Sequence, residues 1–313
     1  MDIIKGWRDV PARLKGASLA IGNFDGVHRG HRAVLDVARR AARTGTPVGA
    51  MIFEPHPRKF FQPDKPVFQL TSLERKLELL AHCGIDLAAV LQFDASVACL
   101  SAEEFVKDVL VDGLAISHAT TGYNFFFGKG RQGNPAVLRA LGESFGFGVT
   151  IVEAAGNSGE IYSSTRVREM LAEGDVAGAA DMLGDWWQVE GVVESGAGRG
   201  TGLGFPTANV RLADGQSLRH GIYAVRVGVD GAWHHGAAYL GTRPTFDAGA
   251  PLLETFLFDF DGDLYGRSIK IQFIDFVRPD AKFRSGTDLA AQMRTDVAKA
   301  EEILRRADAQ EKN

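Results

Sequence analysis

The sequence predicts an α/β first half built on a doubly wound parallel sheet, then a small antiparallel β-barrel with one long terminal helix. Three observations predict it. From Ser18 to about Gly184, short apolar runs alternate with amphipathic helical stretches, the order that yields parallel strands covered by helices. From Trp186 onward the apolar residues alternate singly, as in Trp187, Val189, Gly191 and Val193, the period of antiparallel strands. Leu289, Met293, Val297, Ala300 and Leu304 then recur at helical spacing. The boundary is expected near Gly184, giving domains 1–184 and 185–313.

In the first half, Ser18–Ile21 reads as a short buried strand. It runs into Gly22-Asn23-Phe24-Asp25-Gly26-Val27-His28-Arg29-Gly30-His31, and Val34, Leu35, Ala38, Ala41 and Ala42 follow at helical spacing. Glycines let a backbone approach a ligand closely, and a helix N-terminus offers unpaired N–H groups to a phosphate. His28 and His31 add donors that can follow charge on a phosphoryl group. A histidine pair here could also simply cap and pack, or with Asp25 bind a metal. The sequence of strand, glycine turn, histidines and helix favours the phosphate site.

Pro47–Phe53 is a continuous apolar run of strand length, and Glu54-Pro55-His56-Pro57-Arg58-Lys59-Phe60-Phe61 reads as the loop that ends it. Thr71-Ser72-Leu73-Glu74 reads as a capping box, opening a helix with Leu73, Leu77 and Leu80 as its buried stripe. Ile85–Phe93 is a strand, Ser101-Ala102-Glu103-Glu104 a second capping box opening a helix through Leu110, and Ala119–Gly122 a strand. The loop Gly122–Gly133 holds three aromatics beside cations. Phe125, Phe126 and Phe127 beside Lys129 and Arg131 suit a flat heteroaromatic ring joined to a phosphate; the alternative is a strand that packs Phe125 and Phe127 and ends in a basic turn. Asn134-Pro135 opens another helix, and Val149–Val152 is a strand. In Tyr162-Ser163-Ser164-Thr165-Arg166-Val167-Arg168, hydroxyls at a helix start precede two arginines, a second phosphate cradle or a plain N-cap.

In the second half, Tyr223, Val225, Val227 and Val229 alternate before the hairpin signal Asp230-Gly231. Phe256, Phe258 and Phe260 alternate, and Ile269, Ile271 and Phe273 follow. The loop Gly196–Gly204, with Arg199, Gly200 and Gly204, is glycine-rich but is not a P-loop. Thr207 and Asn209, two apart on a strand, point the same way. Both are neutral oxygen donors, suited to a Mg²⁺ that takes its other ligands from phosphates and water. Two polar surface residues would give the same pattern.

Composition sets outer bounds. The chain has 313 residues, 45% hydrophobic and 24% charged, with a formal charge of −4. That gives no basic field for nucleic acid. Cys83 and Cys99 form no metal motif and read as reduced core residues of a cytosolic protein. No apolar run spans a bilayer, and Met1–Trp7 lacks a signal-peptide layout. A cytoplasmic protein without membrane or nucleic-acid partners is expected.

His28-Arg29-Gly30-His31 is similar to the His-x-Gly-His signature of the nucleotidylyltransferase superfamily. The whole Gly22–His31 run resembles the version in bacterial bifunctional riboflavin kinase/FAD synthetases. Several other motifs resemble that family in order: Phe53–Pro57, Gly122–Gly128, Ser163–Arg168, Pro206-Thr207-Ala208-Asn209, Gly241–Phe246, Leu253–Phe260 and Gly262–Gly266. Two departures stand out. The family often has Arg-Gly-Arg-Thr where this chain has Arg199-Gly200-Thr201-Gly202, and an asparagine where it has Tyr239.

The resemblance implies two activities. The second domain would phosphorylate riboflavin with ATP to FMN, and the first would transfer AMP from ATP to FMN, giving FAD and pyrophosphate. His28, His31, Ser164 and Arg168 would stabilise the adenylyl transfer, with Gly22, Asn23, Phe24, Asp25, Asn124, Phe126, Arg131 and Thr165 lining that site. Glu254 would be general base for the kinase, with Thr207 and Asn209 on Mg²⁺ and Arg199, Gly200 and Gly204 on ATP. ATP, riboflavin, FMN and FAD would be substrates or products, and flavoproteins the downstream acceptors. The rival readings are one live site only, or a flavin or nucleotide sensor.

Overall fold

A run such as Val48–Phe53 can be apolar throughout only if both of its faces are covered, and the computed structural model covers both. It describes residues 1–157, 159–194, 205–213, 215–242 and 251–311. The chain divides into two compact units, Met1–Ser164 and Thr165–Asn313.

In the first unit, strands β1 (Asp2–Lys5), β2 (Ser18–Ile21), β3 (Val48–Glu54), β4 (Leu87–Gln92), β5 (His118–Gly122) and β6 (Gly148–Val152) form one parallel sheet in the order β1-β4-β3-β2-β5-β6. Met51 and Phe53 of β3 join Leu19, Ile21, Leu87 and Leu91 in one core. Ala50 and Ile52 join Ala20, Val34, Leu35 and Ala38 in the other. The helices that cover the sheet include α1 (Arg29–Ala41), α2 (Pro57–Phe61), α3 (Leu73–His82), the short α4 (Ala95–Ala98) and α5 (Ala102–Glu104), and α6 (Pro135–Phe145). Two-residue strands β7 (Gly156–Asn157) and β8 (Glu160–Ile161) pair antiparallel.

The strand order fixes where a ligand goes. From β2 the chain moves outward through β3 and β4, then returns to place β5 on the other side of β2. Loops leaving β2 and β5 therefore part in opposite directions, and the crevice between them is where open α/β sheets bind ligands. Gly22–His31 leaves β2 and Gly122–Gly133 leaves β5.

Several sequence expectations need local correction. The capping residue of α3 is Ser72, whose side chain accepts from the Arg75 amide, so Thr71 lies outside the helix. Residues 57–61 are a short helix rather than loop, because Pro57 starts it and the His56 ring accepts from the Arg58 amide. The Ser101–Glu104 capping box is present, but its helix continues as a π-helix, Phe105–Gly113, past Leu110. Gly122–Gly133 is not a strand, although Phe127 is buried and Phe125 packs against the same core. Cys99 is exposed rather than a core residue, and Cys83 is half-buried; both thiols are free.

The second unit opens with α7 (Ser164–Glu173), whose first residue closes the first unit, and α8 (Val176–Leu183). Strands β9 (Gln188–Glu194), β10 (Thr207–Arg211), β11 (Gly221–Val229), β12 (Ala232–Thr242), β13 (Pro251–Leu257) and β14 (Ser268–Pro279) close an antiparallel barrel in the order β10-β13-β12-β11-β14-β9. Its interior is filled by Val210, Tyr223, Val225, Val227, Leu240, Leu253, Ile269, Ile271 and Phe273, all nearly inaccessible. Asp230 and Gly231 both take positive φ, 48° and 85°, as a two-residue hairpin turn demands.

The terminal helix α9 (Gly286–Glu311) lays Val297, Ala300 and Leu304 over Ala224, Ala237, Phe256 and Ile274 on the barrel's outer face. A fork from Arg278 to Asp296, at 2.8 and 2.9 Å, pins it. The α7–α8 hairpin is held on the barrel by Arg219, whose guanidinium donates to the Glu173 carbonyl at 2.9 Å and lies 4.7 Å from the centre of the Phe276 ring.

Because Val176, Ala179, Met182 and Leu183 of α8 are buried and α8 packs on β14, a fragment starting at Thr165 should be more stable than one starting at Asp185. The shorter fragment lacks Met182 and Leu183, and the burial each supplies is on the order of 1.5–3 kcal/mol. Urea unfolding of the two fragments, followed by tryptophan fluorescence, measures the gap; equal midpoints would mean that α8 contributes nothing to the barrel.

Candidate active sites

The turn after β2 is tightly wound. Phe24, Gly26 and Val27 take positive φ of 48°, 85° and 42°. For a β-branched residue such as Val27 this region is strongly disfavoured, so surrounding contacts must impose it. Asp25, only 3% exposed, supplies them. Its carboxylate accepts from the Leu70 amide at 3.0 Å, the Thr71 amide at 3.2 Å and the Thr71 hydroxyl at 3.3 Å. The Thr71 hydroxyl oxygen accepts in turn from the Gly26 amide at 3.2 Å. Asp25 therefore shapes the turn; its carboxylate is directed to residues 70 and 71. Ser164 adds a tie from the far end of the unit, donating from Oγ to the Asp25 carbonyl at 2.9 Å.

The two histidines stand together at the start of α1. His28 is its N-cap, with Nδ1 accepting from the His31 amide at 3.2 Å. In the neutral ring that assigns the proton to Nε2, which is then a donor. The His28 and His31 rings stack, with centroids 3.6 Å apart and planes 19° apart, and Phe24 meets His31 edge-on at 5.2 Å. Stacked rings present parallel edges, which suits two donors to one phosphate better than two ligands converging on one metal ion. Gly30 makes the stack possible. A Cβ there would lie 3.1 Å from the His28 ring and 3.2 Å from the Tyr162 carbonyl. Gly22 leaves similar room for the Phe24 ring. The Asn23 side-chain oxygen is buried with no hydrogen-bond partner among the described residues, a group that a ligand donor would satisfy.

Across the crevice, in the loop after β5, Asn124 and Phe126 are exposed. The Arg131 guanidinium lies 4.6 Å from the Phe126 ring centre, so the expected aromatic platform carries a cation. Thr165 and Arg168 fall in the second unit with α7. Arg166, the other arginine of that signature, pairs with Glu169 and Glu173 on its own helix.

On the barrel, strand pairing assembles what the sequence spreads over many residues. Asn209 of β10 lies opposite Glu254 of β13, and Glu254 lies opposite Tyr239 of β12. Laterally paired residues share a face, so the three form one row on the outer surface. Asn209 is buried to 4% exposure and its Nδ2 is directed to the Thr207 carbonyl at 3.5 Å, which turns Oδ1 the other way. The expected contacts Arg199, Gly200 and Gly204, and residues 243–246 of the Gly241–Phe246 motif, lie outside the described residues.

Tyr239 is a site neighbour for which the sequence offered only a departure from pattern. Its ring covers Gly241, where a Cβ would collide with it. Burial, the hydrogen-bonded Asp280 and the nearby Glu254 push its hydroxyl pKa up to about 12, against a smaller opposing pull from Arg278. Thr71 and Leu70 were also missed, since nothing local links them to a turn 45 residues earlier.

A parallel sheet with a His-x-Gly-His turn at its switch point is the architecture of a nucleotidylyltransferase module, here joined to a closed barrel with a Thr/Asn pair and an acid on its face. Comparison with known proteins agrees. Residues 10–166 match the family model for FAD synthetase, and residues 183–304 match that for riboflavin kinase. The bifunctional riboflavin kinase/FMN adenylyltransferase of Escherichia coli (strain K12) is 39% identical over 307 residues, covering 97% of this chain and 98% of the relative. The protein of the same description from Bacillus subtilis (strain 168) is 33% identical over 290 residues, 90% of each chain. A crystal structure titled as a macrolide-efflux protein from Streptococcus pneumoniae superposes with a TM-score of 0.83 at 26% identity, covering 96% of this chain and 98% of that one. Among the described residues no helix is long and apolar enough to cross a membrane. The chain belongs to the bifunctional riboflavin kinase/FMN adenylyltransferase family.

The raised Tyr239 pKa has a signed consequence. The folded protein holds this proton more tightly than the unfolded chain, so the stabilisation is full below the unfolded pKa of about 10 and is lost as pH rises through about 12. An ultraviolet difference titration of wild type against Tyr239→Phe should place this phenolate near the upper value. Ionisation near the lower one would mean that the ring is solvated.

Proposed function

We propose that the chain makes FMN and then FAD at two separate sites, each with its own ATP. The observation that carries this is the separation of machinery. The stacked His28 and His31 stand at the switch point of a parallel sheet, while Asn209 and Glu254 pair on a barrel in the other unit. We keep the functional boundary at residue 184, so that residues 1–184 carry adenylyl transfer and 185–313 the kinase.

In adenylyl transfer an FMN phosphate oxygen attacks the α-phosphorus of ATP. The bond from that phosphorus to the bridging oxygen breaks, and pyrophosphate leaves with the electron pair. Donors placed where charge grows can do most of this work without a covalent intermediate. His28, through Nε2, and His31 serve as those donors, with the α1 N-terminus behind them. Arg168 neutralises phosphate charge, and Ser164, its hydroxyl proton given to the Asp25 carbonyl, keeps the turn closed. Gly22, Asn23 and Phe24 line the nucleotide side. Asn124, Phe126 and Arg131 take the flavin end.

In the kinase step the terminal ribityl hydroxyl attacks the γ-phosphorus, Glu254 accepts its proton, and ADP leaves. Thr207 and Asn209 fit a Mg²⁺, since both offer uncharged oxygens from one strand face and Asn Oδ1 is turned away from its own backbone. Bound there with the ATP phosphates, the ion would neutralise charge on the transferring group. Among the described residues no cluster of His, Cys, Asp or Glu offers an alternative metal site. Small-molecule substrates and a cytoplasmic setting fit this chemistry, with flavoproteins as the takers of FMN and FAD.

Chromatography of riboflavin, ATP and Mg²⁺ incubated with the protein tests the reading. FMN should appear first and FAD after it. His31→Ala should lower FAD formation about a hundredfold and leave FMN formation intact. Asn209→Ala should do the reverse, with FAD still made from supplied FMN. Loss of both activities in either folded variant would refute two separate sites. Adding EDTA should stop FMN formation and excess Mg²⁺ restore it; kinase activity that persists in EDTA would remove the proposed metal role of Thr207 and Asn209.

A further inference from the structure

Thr71 is only 8% exposed and stands one residue before the cap of α3. Its hydroxyl is engaged twice. Oγ1 accepts from the Gly26 amide at 3.2 Å and donates its one proton to the Asp25 carboxylate at 3.3 Å. Its own amide reaches the same carboxylate oxygen at 3.2 Å, as does the Leu70 amide at 3.0 Å. The helix gains nothing from that hydroxyl, because Ser72 alone caps α3 by accepting from the Arg75 amide. Both of its bonds go to a turn 45 and 46 positions earlier in the chain.

The turn needs such ties. Phe24, Gly26 and Val27 all take positive φ, and backbone held there relaxes unless neighbouring contacts over-determine it. Gly26 is buried, so without the Thr71 oxygen its amide would lose its acceptor, a costly loss inside a protein. Two residues further on, His28 caps α1 and stacks on His31 with ring centres 3.6 Å apart. Threonine suits the task better than serine, since branching at Cβ restricts χ1 and holds the hydroxyl in one setting. The anchor is firm as well, for α3 buries Lys76, Leu79 and Leu80.

We propose that Thr71 is a positioning residue for adenylyl transfer. Its hydroxyl, relayed between the Gly26 amide and the Asp25 carboxylate, holds the turn in the shape that presents His28 and His31 to the phosphates. The inference rests on the reading of the first site as the FAD-forming one. Thr71 touches no reacting atom in this scheme; it acts through the backbone of the turn.

The test uses the full-length chain with Thr71→Val, which keeps the branched shape and removes the hydroxyl, and Thr71→Ser, which restores the hydroxyl without the methyl group. FAD formation from FMN is measured as kcat and as KM for ATP and for FMN, with FMN formation on the same chain as internal control. Thr71→Val should lower kcat for FAD formation about tenfold with both KM values within about twofold, since geometry is lost and ligand contacts are not. Thr71→Ser should recover at least about threefold over valine, its freer hydroxyl doing part of the task. FMN formation should be unchanged in both. Hydrogen exchange over residues 22–31 should quicken in Thr71→Val. If that variant does not fold, Thr71→Ala replaces it with the same expected outcomes, as it removes the same hydroxyl and leaves space.

Wild-type kcat in a folded variant without the hydroxyl would overturn the proposal. So would a serine variant as slow as the valine one, which would place the effect in packing. A tenfold rise in KM for ATP at unchanged kcat would make Thr71 a ligand contact and overturn it as well. FMN formation that fell in step with FAD formation, or unchanged exchange over residues 22–31, would do the same. Failure of the wild type to make FAD would instead count against the functional reading, and is seen before any variant is compared.

Discussion

A single buried carboxylate holds the turn after β2 in place. Asp25 accepts from the amides of Leu70 and Thr71 and the hydroxyl of Thr71, and its carbonyl takes the Ser164 hydroxyl. One residue thereby joins the turn after β2, the lead-in to α3 and the start of α7. These segments are 45 and 139 positions away in the chain. These hydrogen bonds oppose the backbone strain at Phe24 and Val27. With the turn fixed, His28 can cap α1 and His31 can stack on it. Gly30 then leaves the Tyr162 carbonyl space to approach.

The barrel solves its problem by a different route. Its polar row depends on register rather than on a clamp. Asn209, Glu254 and Tyr239 come from three strands and share a face because β10, β13 and β12 pair in one frame. A slip of one residue would turn all three inward and bring Val210, Leu253 and Leu240 outward. That slip is blocked by the core, since those three apolar residues are among the most buried of the barrel. Packing inside the barrel thus sets the placement of the polar groups outside it.

Much of this was legible in the chain. The parallel sheet was readable from β3, whose run of apolar residues fits only a strand covered on both sides. The hairpin at Asp230-Gly231 and the helix caps at Ser101 and Asn134 were also readable, because they depend on residues within four positions of each other. Where the reading slipped, two local patterns overlapped. Thr71 and Ser72 can each head a capping pattern; the structure gives the cap to Ser72 because Thr71 is taken by Asp25 and Gly26. The helix at 57–61 was hidden because prolines suggest loops, yet Pro57 fits a first helical position. The pairing of Glu254 with Asn209 and the burial of Lys76 could not be read at all. Both arise from contacts between elements, and no spacing along the chain encodes them.

The two cysteines end in unequal surroundings. Cys99 is exposed, while Cys83 is half-buried, with desolvation raising its thiol pKa above the usual range. Reactivity follows the thiolate, so alkylating reagents at mildly alkaline pH discriminate between them. Cys99 closes the short helix α4, in the stretch after the sheet strand β4. The first unit thus comes with one chemically addressable point, and a fluorophore or spin label attached there would report on that half of the molecule alone.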